Sequence, residues 1–219
     1  MTALHFQPVL QRLPFLLGGA ATTVLLSVAS FGAGLLLAGG LAVLRAEGPK
    51  AGQRFSTIYS TIMTNTPQLS QIFAIFYCLP LLGVMVSPFA SVFIGMALNA
   101  AAYLADIVTT GLGRVPPLYH DAAASLGLTR RQAYMRVIFP HALQTMAPAL
   151  ANHFQIMILG SSMASIFGVE DLTGRAYDVG STTFRILEVM LVAGVLYALL
   201  SVALTGLFAL GRRLFEAAA

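Results

Sequence analysis

The chain has 219 residues, of which 58% are hydrophobic and only 9% charged. Soluble domains carry about 25% charged residues to keep their surface in water, so this composition excludes a soluble protein and places the chain in a membrane. The formal net charge of +4 follows from membrane topology, as shown next, and does not call for a nucleic-acid partner.

No Asp, Glu, Lys or Arg falls within residues 13–44, 55–105, 137–169 or 189–211. One helix needs about 20 apolar residues to cross the hydrocarbon core. The second gap is too long for one crossing, and Pro80 and Pro88 bracket a short Gly-containing segment inside it that reads as a turn. The sequence therefore predicts an all-α membrane protein, a single domain over 1–219 with five transmembrane helices near 14–44, 57–80, 87–112, 137–165 and 187–211. With the N-terminus outside, the inner loops hold Arg45, Lys50, Arg54, Arg114, Arg130, Arg131, Arg136, Arg212 and Arg213, and the outer side only Arg12, Arg175 and Arg185. The positive-inside rule then gives an N-out, C-in orientation.

Residues 1–19 read as the start of the first span, not as a cleaved signal, because the apolar stretch runs far past the usual 7–15 residues. Gly18, Gly19, Gly32, Gly34, Gly39 and Gly40 in this helix suit close helix packing in lipid. The second helix carries Asn65, Gln68, Gln71 and a mid-helix Pro67, which frees a carbonyl one turn earlier and predicts a kink. Such polar residues serve either helix–helix hydrogen bonding or a water-filled path. In the third helix Asn99, Tyr103 and Asp106 share one face; Asp106 lies either in a cavity or at the inner membrane boundary. The fourth helix contains Pro148, Asn152, His153, Gln155, Ser161 and Ser162. No second His, Cys or carboxylate stands at ligand spacing from His153, so no metal site is expected. The fifth is aliphatic, from Glu188 to Arg212 and Arg213. The lone Cys78 reads as a packing residue.

The polar, cationic stretch Asp121–Ala142 stands apart from these runs. Asp121 suits the start of a short helix, Gly127 a helix end or a positive φ, and Thr129 the cap of a second helix carrying Arg130 and Arg131. On spacing alone it is either an interfacial helix or a surface gripped from the aqueous phase.

This stretch resembles the EAA loop of ABC-importer permeases, in Asp121-Ala122-Ala123, Leu126-Gly127 and Pro140-His141-Ala142. TPQLSQIFAIFYCLP, ALNAAAYLADI, APALANHF and GVEDLT resemble further segments, in the same order, of the polar-amino-acid (histidine/glutamine/arginine-type) permease family. The resemblance implies a permease subunit of an ATP-binding-cassette importer, multi-pass in the bacterial inner membrane, moving amino acids or related small polar solutes inward by alternating access. It implies two cytosolic ATPase subunits that bind ATP and Mg, a second permease chain (a sister subunit or another copy) and a periplasmic or lipoprotein solute-binding protein. The chain itself would be no enzyme and bind no cofactor. The coupling loop would be 113–136, between helices three and four, with Asp121, Ala122, Ala123, Ser125, Leu126, Gly127 and Pro140 forming the ATPase contact. Candidate solute-path residues, polar and on helices two to four, are Thr66, Asn99, Tyr103, Asp106, Asn152, Gln155, Ser161 and Ser162.

Three departures stand out. Thr64 and Asn65 replace an Arg-Gly common in the family, Thr109 an Arg, and Leu159-Gly160 a Lys-Asp. With these membrane-embedded charges gone, either the solute is less polar or differently charged, or a sister chain holds the charged site. The rival reading is a self-sufficient channel or secondary transporter, which should show an intramembrane charge relay or an inverted repeat. Neither is evident.

Overall fold

The computed structural model describes residues 4–218, with the side chains of 209 and 212–218 outside the description. Arg212 and Arg213 are thus placed by their backbone alone. Every regular element described is helical.

A short α1 (Gln7–Leu10) leads into α2 (Leu13–Glu47), started by Pro14 at its first turn, where a missing N–H costs nothing. α2 runs past the expected end at 44 and carries Arg45 and Glu47 to its C-terminal tip. The second expected span is two helices, α3 (Lys50–Thr64) and α4 (Gln68–Leu81), separated at Asn65–Pro67. α5 (Pro88–Gly113) is capped by Ser87, whose hydroxyl accepts the Ala90 N–H at 3.2 Å. α6 (Pro117–Ser125) and α7 (Arg130–Ala133) follow. A π-helical turn, Tyr134–Ile138, then joins α8 (Phe139–Gly160), and a 3-10 stretch, Ser161–Phe167, ends it.

The polar stretch 168–185, expected as a loop, contains a helix, α9 (Leu172–Thr183). Its cause is local and tertiary together. Asp171 caps it, accepting the Gly174 N–H at 2.8 Å. Leu172, Ala176 and Val179, at helical spacing, pack with Val9, Leu16 and Val189 in a small second core. The last helix, α10, spans Ile186–Ala218.

Three helices are long and apolar enough to cross a membrane: α2, α5 and the Ile186–Phe208 part of α10. The run Arg130–Phe167 with α9, bent by 51°, makes a fourth if the pair is one span. The main core lies where α2 and α5 meet α4 and α8, around Leu26, Met96, Ala100, Leu104 and Met157. α2 and α5 approach closely at Gly34: a Cβ built there would fall 2.7 Å from the Ala100 Cβ. Lipid tails are as apolar as Leu, so contact between small residues, not hydrophobic exclusion, holds these two helices together. Gly32, Gly39 and Gly40 face open space instead.

Candidate functional site

The break between α3 and α4 begins with Pro67, which lacks an N–H and disfavours helical geometry at Thr66. Carbonyls freed inside a membrane need donors from the protein. Gln71 Nε2 donates to Met63 O at 2.9 Å and Thr66 Oγ1 at 2.7 Å. Asn99 Nδ2 donates to Met63 O at 3.2 Å and to Gln71 Oε1 at 3.1 Å. The Tyr103 hydroxyl donates to Thr64 O at 3.1 Å, and Asn65 Nδ2 to Thr61 O at 2.8 Å. α5 thereby holds the unwound segment open instead of letting it re-form as helix.

Beside this break lies a cavity of about 630 Å3, walled by the break itself, α5 and α8. It gathers four of the expected path residues: Thr66, Asn99, Tyr103 and Asn152. It also gathers Asn65, Gln68 and His153, which the sequence reading left outside the site. The His153 ring is 7% exposed, lies over Tyr103 with centroids 5.2 Å apart, and its Nε2 has no hydrogen-bond partner among the described residues. None of the residues lining the cavity is an Asp, Glu, Lys or Arg.

The other four expected path residues lie elsewhere. Asp106 accepts from Arg45 Nη1 at 2.6 Å, and the same guanidinium donates to Ser60 Oγ at 2.7 Å and Ser56 O at 3.2 Å. Its charge is thus spent tying α2, α3 and α5 together. Gln155 donates to Ser201 on α10. Ser161 and Ser162 donate to the carbonyls of Ile158 and Leu159, both at 2.8 Å, within their own chain turn.

On the basic side, Pro117 starts α6 four residues before Asp121, which therefore lies in the second turn and not at the N-terminus. The helix ends in a Schellman motif: Gly127 takes φ +68, its N–H reaches Ala124 O at 2.9 Å, and the Leu128 N–H reaches Ala123 O at 3.1 Å. Thr129 then caps α7 in a capping box with Gln132. Ala123 is buried, while Leu118 and Leu126 are 72% and 76% exposed. Leu118, Ala122 and Leu126 recur every fourth residue, so α6 presents an apolar stripe outward.

This helical pair is anchored at three points. Arg130 pairs with Glu47 at the end of α2. Tyr119 packs on His141 of α8 with centroids 4.4 Å apart, and His120 meets Tyr134 edge-on. Pro140 stands at the start of α8, where a proline would otherwise clash with the carbonyl four residues back; the wider π turn, closed by the Phe139 N–H on Tyr134 O, lies directly before it.

Comparison with known proteins agrees with this arrangement. The family model described as "Binding-protein-dependent transport system inner membrane component" matches residues 30–215. The arginine transport system permease protein of Bacillus subtilis is 28% identical over 92% of this chain and 93% of its own length. The L-cystine transport system permease protein of the same organism is 32% identical over 84% and 79%. A crystal structure of an amino acid ABC transporter with histidines superposes with a TM-score of 0.89 at 28% identity, covering 97% of this chain and 99% of that one.

Proposed function

The chain belongs to the binding-protein-dependent transport system inner membrane component family, and from that premise we propose that it is the permease of an amino-acid importer whose solute passes the cavity at the α3–α4 break. The relatives act on arginine and L-cystine by name, and the amide-rich cavity supports an amino acid or related small polar solute here. The single domain of residues 1–219 crosses the bacterial inner membrane five times, N-out and C-in, with α3 and α4 as one broken crossing. It performs no chemistry of its own. ATP and Mg belong to two cytosolic ATPase subunits, and a periplasmic or lipoprotein solute-binding protein delivers from outside.

Because the cavity wall is free of ionic groups, we place a heteromeric pair ahead of a homodimer: a sister permease would supply any charge that grips an ionic solute. The observation that carries the coupling role is α6, a helix closed at its C-terminal end by the Gly127 turn that directs Leu118 and Leu126 outward on the basic face. It would seat in the ATPase, and closure of the ATPases would move α8 and α2 through the Tyr119–His141 and Arg130–Glu47 contacts. Asp121, Ala122, Ser125, Leu126 and Gly127 form the contact; Ala123 and Pro140 position it.

The test is co-purification from detergent of the wild type and of Leu126→Asp. Retention of an ATPase by the wild type and its loss in Leu126→Asp is the expected result. A wild-type chain that purifies without any ATPase would move the protein toward the channel reading.

A further inference from the structure

A second cavity lies on the face of α8 opposite the solute cavity, in a groove between α2, α8 and α10. Its volume is about 650 Å3, and its walls include Val28, Phe31, Leu143, Phe154, Leu204 and Phe208. Gln144 is the one polar side chain among the lining residues. Phe31 and Phe208 both pack against Phe154, with centroids 5.0 and 5.4 Å away, and form its inner end. The solute path has no use for this space: it is dry in character, and a polar solute would find one partner in it.

Its dimensions say what fits. Along α8 the lining runs from Leu143 to Phe154, about 16 Å at 1.5 Å per residue. One leaflet of the hydrocarbon core is about 15 Å deep, half of the ~30 Å total. A groove of that length takes an extended acyl chain reaching from the headgroups to the middle of the bilayer.

The charge at one end says which lipid. Arg136 lies seven residues before Leu143 on the same helical run, about 10 Å further toward the α6 side. It is exposed, and among the described residues it has neither a hydrogen bond nor an ion pair. Gly211, the last lining residue of α10, is followed in sequence by Arg212 and Arg213. Basic residues at the headgroup level attract anionic phospholipids.

We propose that this groove is a lipid site, holding an acyl chain of an anionic phospholipid drawn from the leaflet on the α6 side, with its phosphate at Arg136. That leaflet is cytosolic under the topology proposed above; occupancy of the groove does not depend on that topology or on the solute.

The test is native mass spectrometry and lipid extraction of the complex purified in mild detergent, in three forms. The wild type should retain one phospholipid per permease chain, enriched in anionic headgroups over the source membrane. Gly32→Phe fills the groove from the α2 wall, where a built Cβ meets no heavy atom within 4 Å, and should cut retained lipid by about tenfold or more, since several buried CH2 groups lose their place. Ala147→Phe fills it from the α8 wall and serves if the first variant fails to fold. Arg136→Gln should keep the lipid count and lose the anionic enrichment. A wild type without retained lipid, or a lipid count unchanged by both filling variants, overturns the site. So does a change in permease stoichiometry in the filling variants with lipid unchanged, because it would make a second chain the occupant. Loss of the ATPase in Leu126→Asp with lipid retained would separate this site from the coupling role.

Discussion

Pro67 removes one backbone donor at the break between α3 and α4, and Asn99, Gln71 and Tyr103 supply the missing bonds. These residues look like solute ligands in the sequence because they are polar in an apolar run, yet their donors already serve the carbonyls of the break. Asn99→Ala leaves Gln71 Oε1 without its donor, while Met63 O keeps Gln71 Nε2, and should lower the stability of the purified complex by about 1–3 kcal/mol, the cost of an acceptor left unpaired. Tyr103→Phe removes one bond and keeps the stack on His153, so about 0.5–1.5 kcal/mol is expected. Thermal midpoints measured side by side check the order, and a costlier Tyr103→Phe would contradict it. Arg45 and Asp106 pose a different question, since Asp106 is 47% exposed and solvent trims the pair. A double-mutant cycle with Arg45→Ala and Asp106→Ala should return a coupling of about 1 kcal/mol. A coupling of zero would leave Arg45 held by Ser56 and Ser60 alone.

Among the elements, α6 owes its fixed end to one residue in a left-handed conformation. Gly113 and Gly127 both stand in open space, and only Gly127 has a positive φ. Gly127→Ala should therefore cost about 1–2 kcal/mol of local stability and reduce ATPase retention several-fold, whereas Gly113→Ala should leave retention unchanged. Equal effects at both positions would mean that the conformation of the turn is irrelevant to docking. The turn was legible in the sequence because its signals are local: Gly127, Thr129 and Gln132 lie within six residues of one another. α9 was not, because Glu170, Asp171, Arg175 and Asp178 hide an apolar stripe that shows itself only against α1, α2 and α10. The break at Pro67 reads as a kink in one dimension; its opening depends on Asn99, on another helix. Asp106 reads as a lone charge because its partner Arg45 is 61 residues away. The cavity residues missed from the expected path, Asn65, Gln68 and His153, have no pattern of their own and are defined by what the break, α5 and α8 bring together.

At the scale of the whole molecule, the two ends differ in chemistry, and orientation follows from that difference. Glu170, Arg175 and Asp171 belong to a tightly bonded cap at the α9 end: Arg175 donates to Phe15 O at 2.9 Å and pairs with Glu170, and Tyr197 donates to Asp171. The opposite end carries exposed cations on α7 and the π turn. The positive-inside rule counts Lys and Arg near span ends, with carboxylates contributing little, so the end with α6 should be cytosolic. Single cysteines can decide this, because Cys78 is the sole native cysteine and is itself exposed. In a Cys78→Ala background, Ser181→Cys on α9 should react with a membrane-impermeant maleimide on intact cells. Ala124→Cys on α6 should react only after permeabilisation. Both side chains are exposed, so failure to label reports the membrane and not burial. The reverse pattern would invert the molecule and place α6, with its outward Leu118 and Leu126, beyond the reach of any cytosolic ATPase.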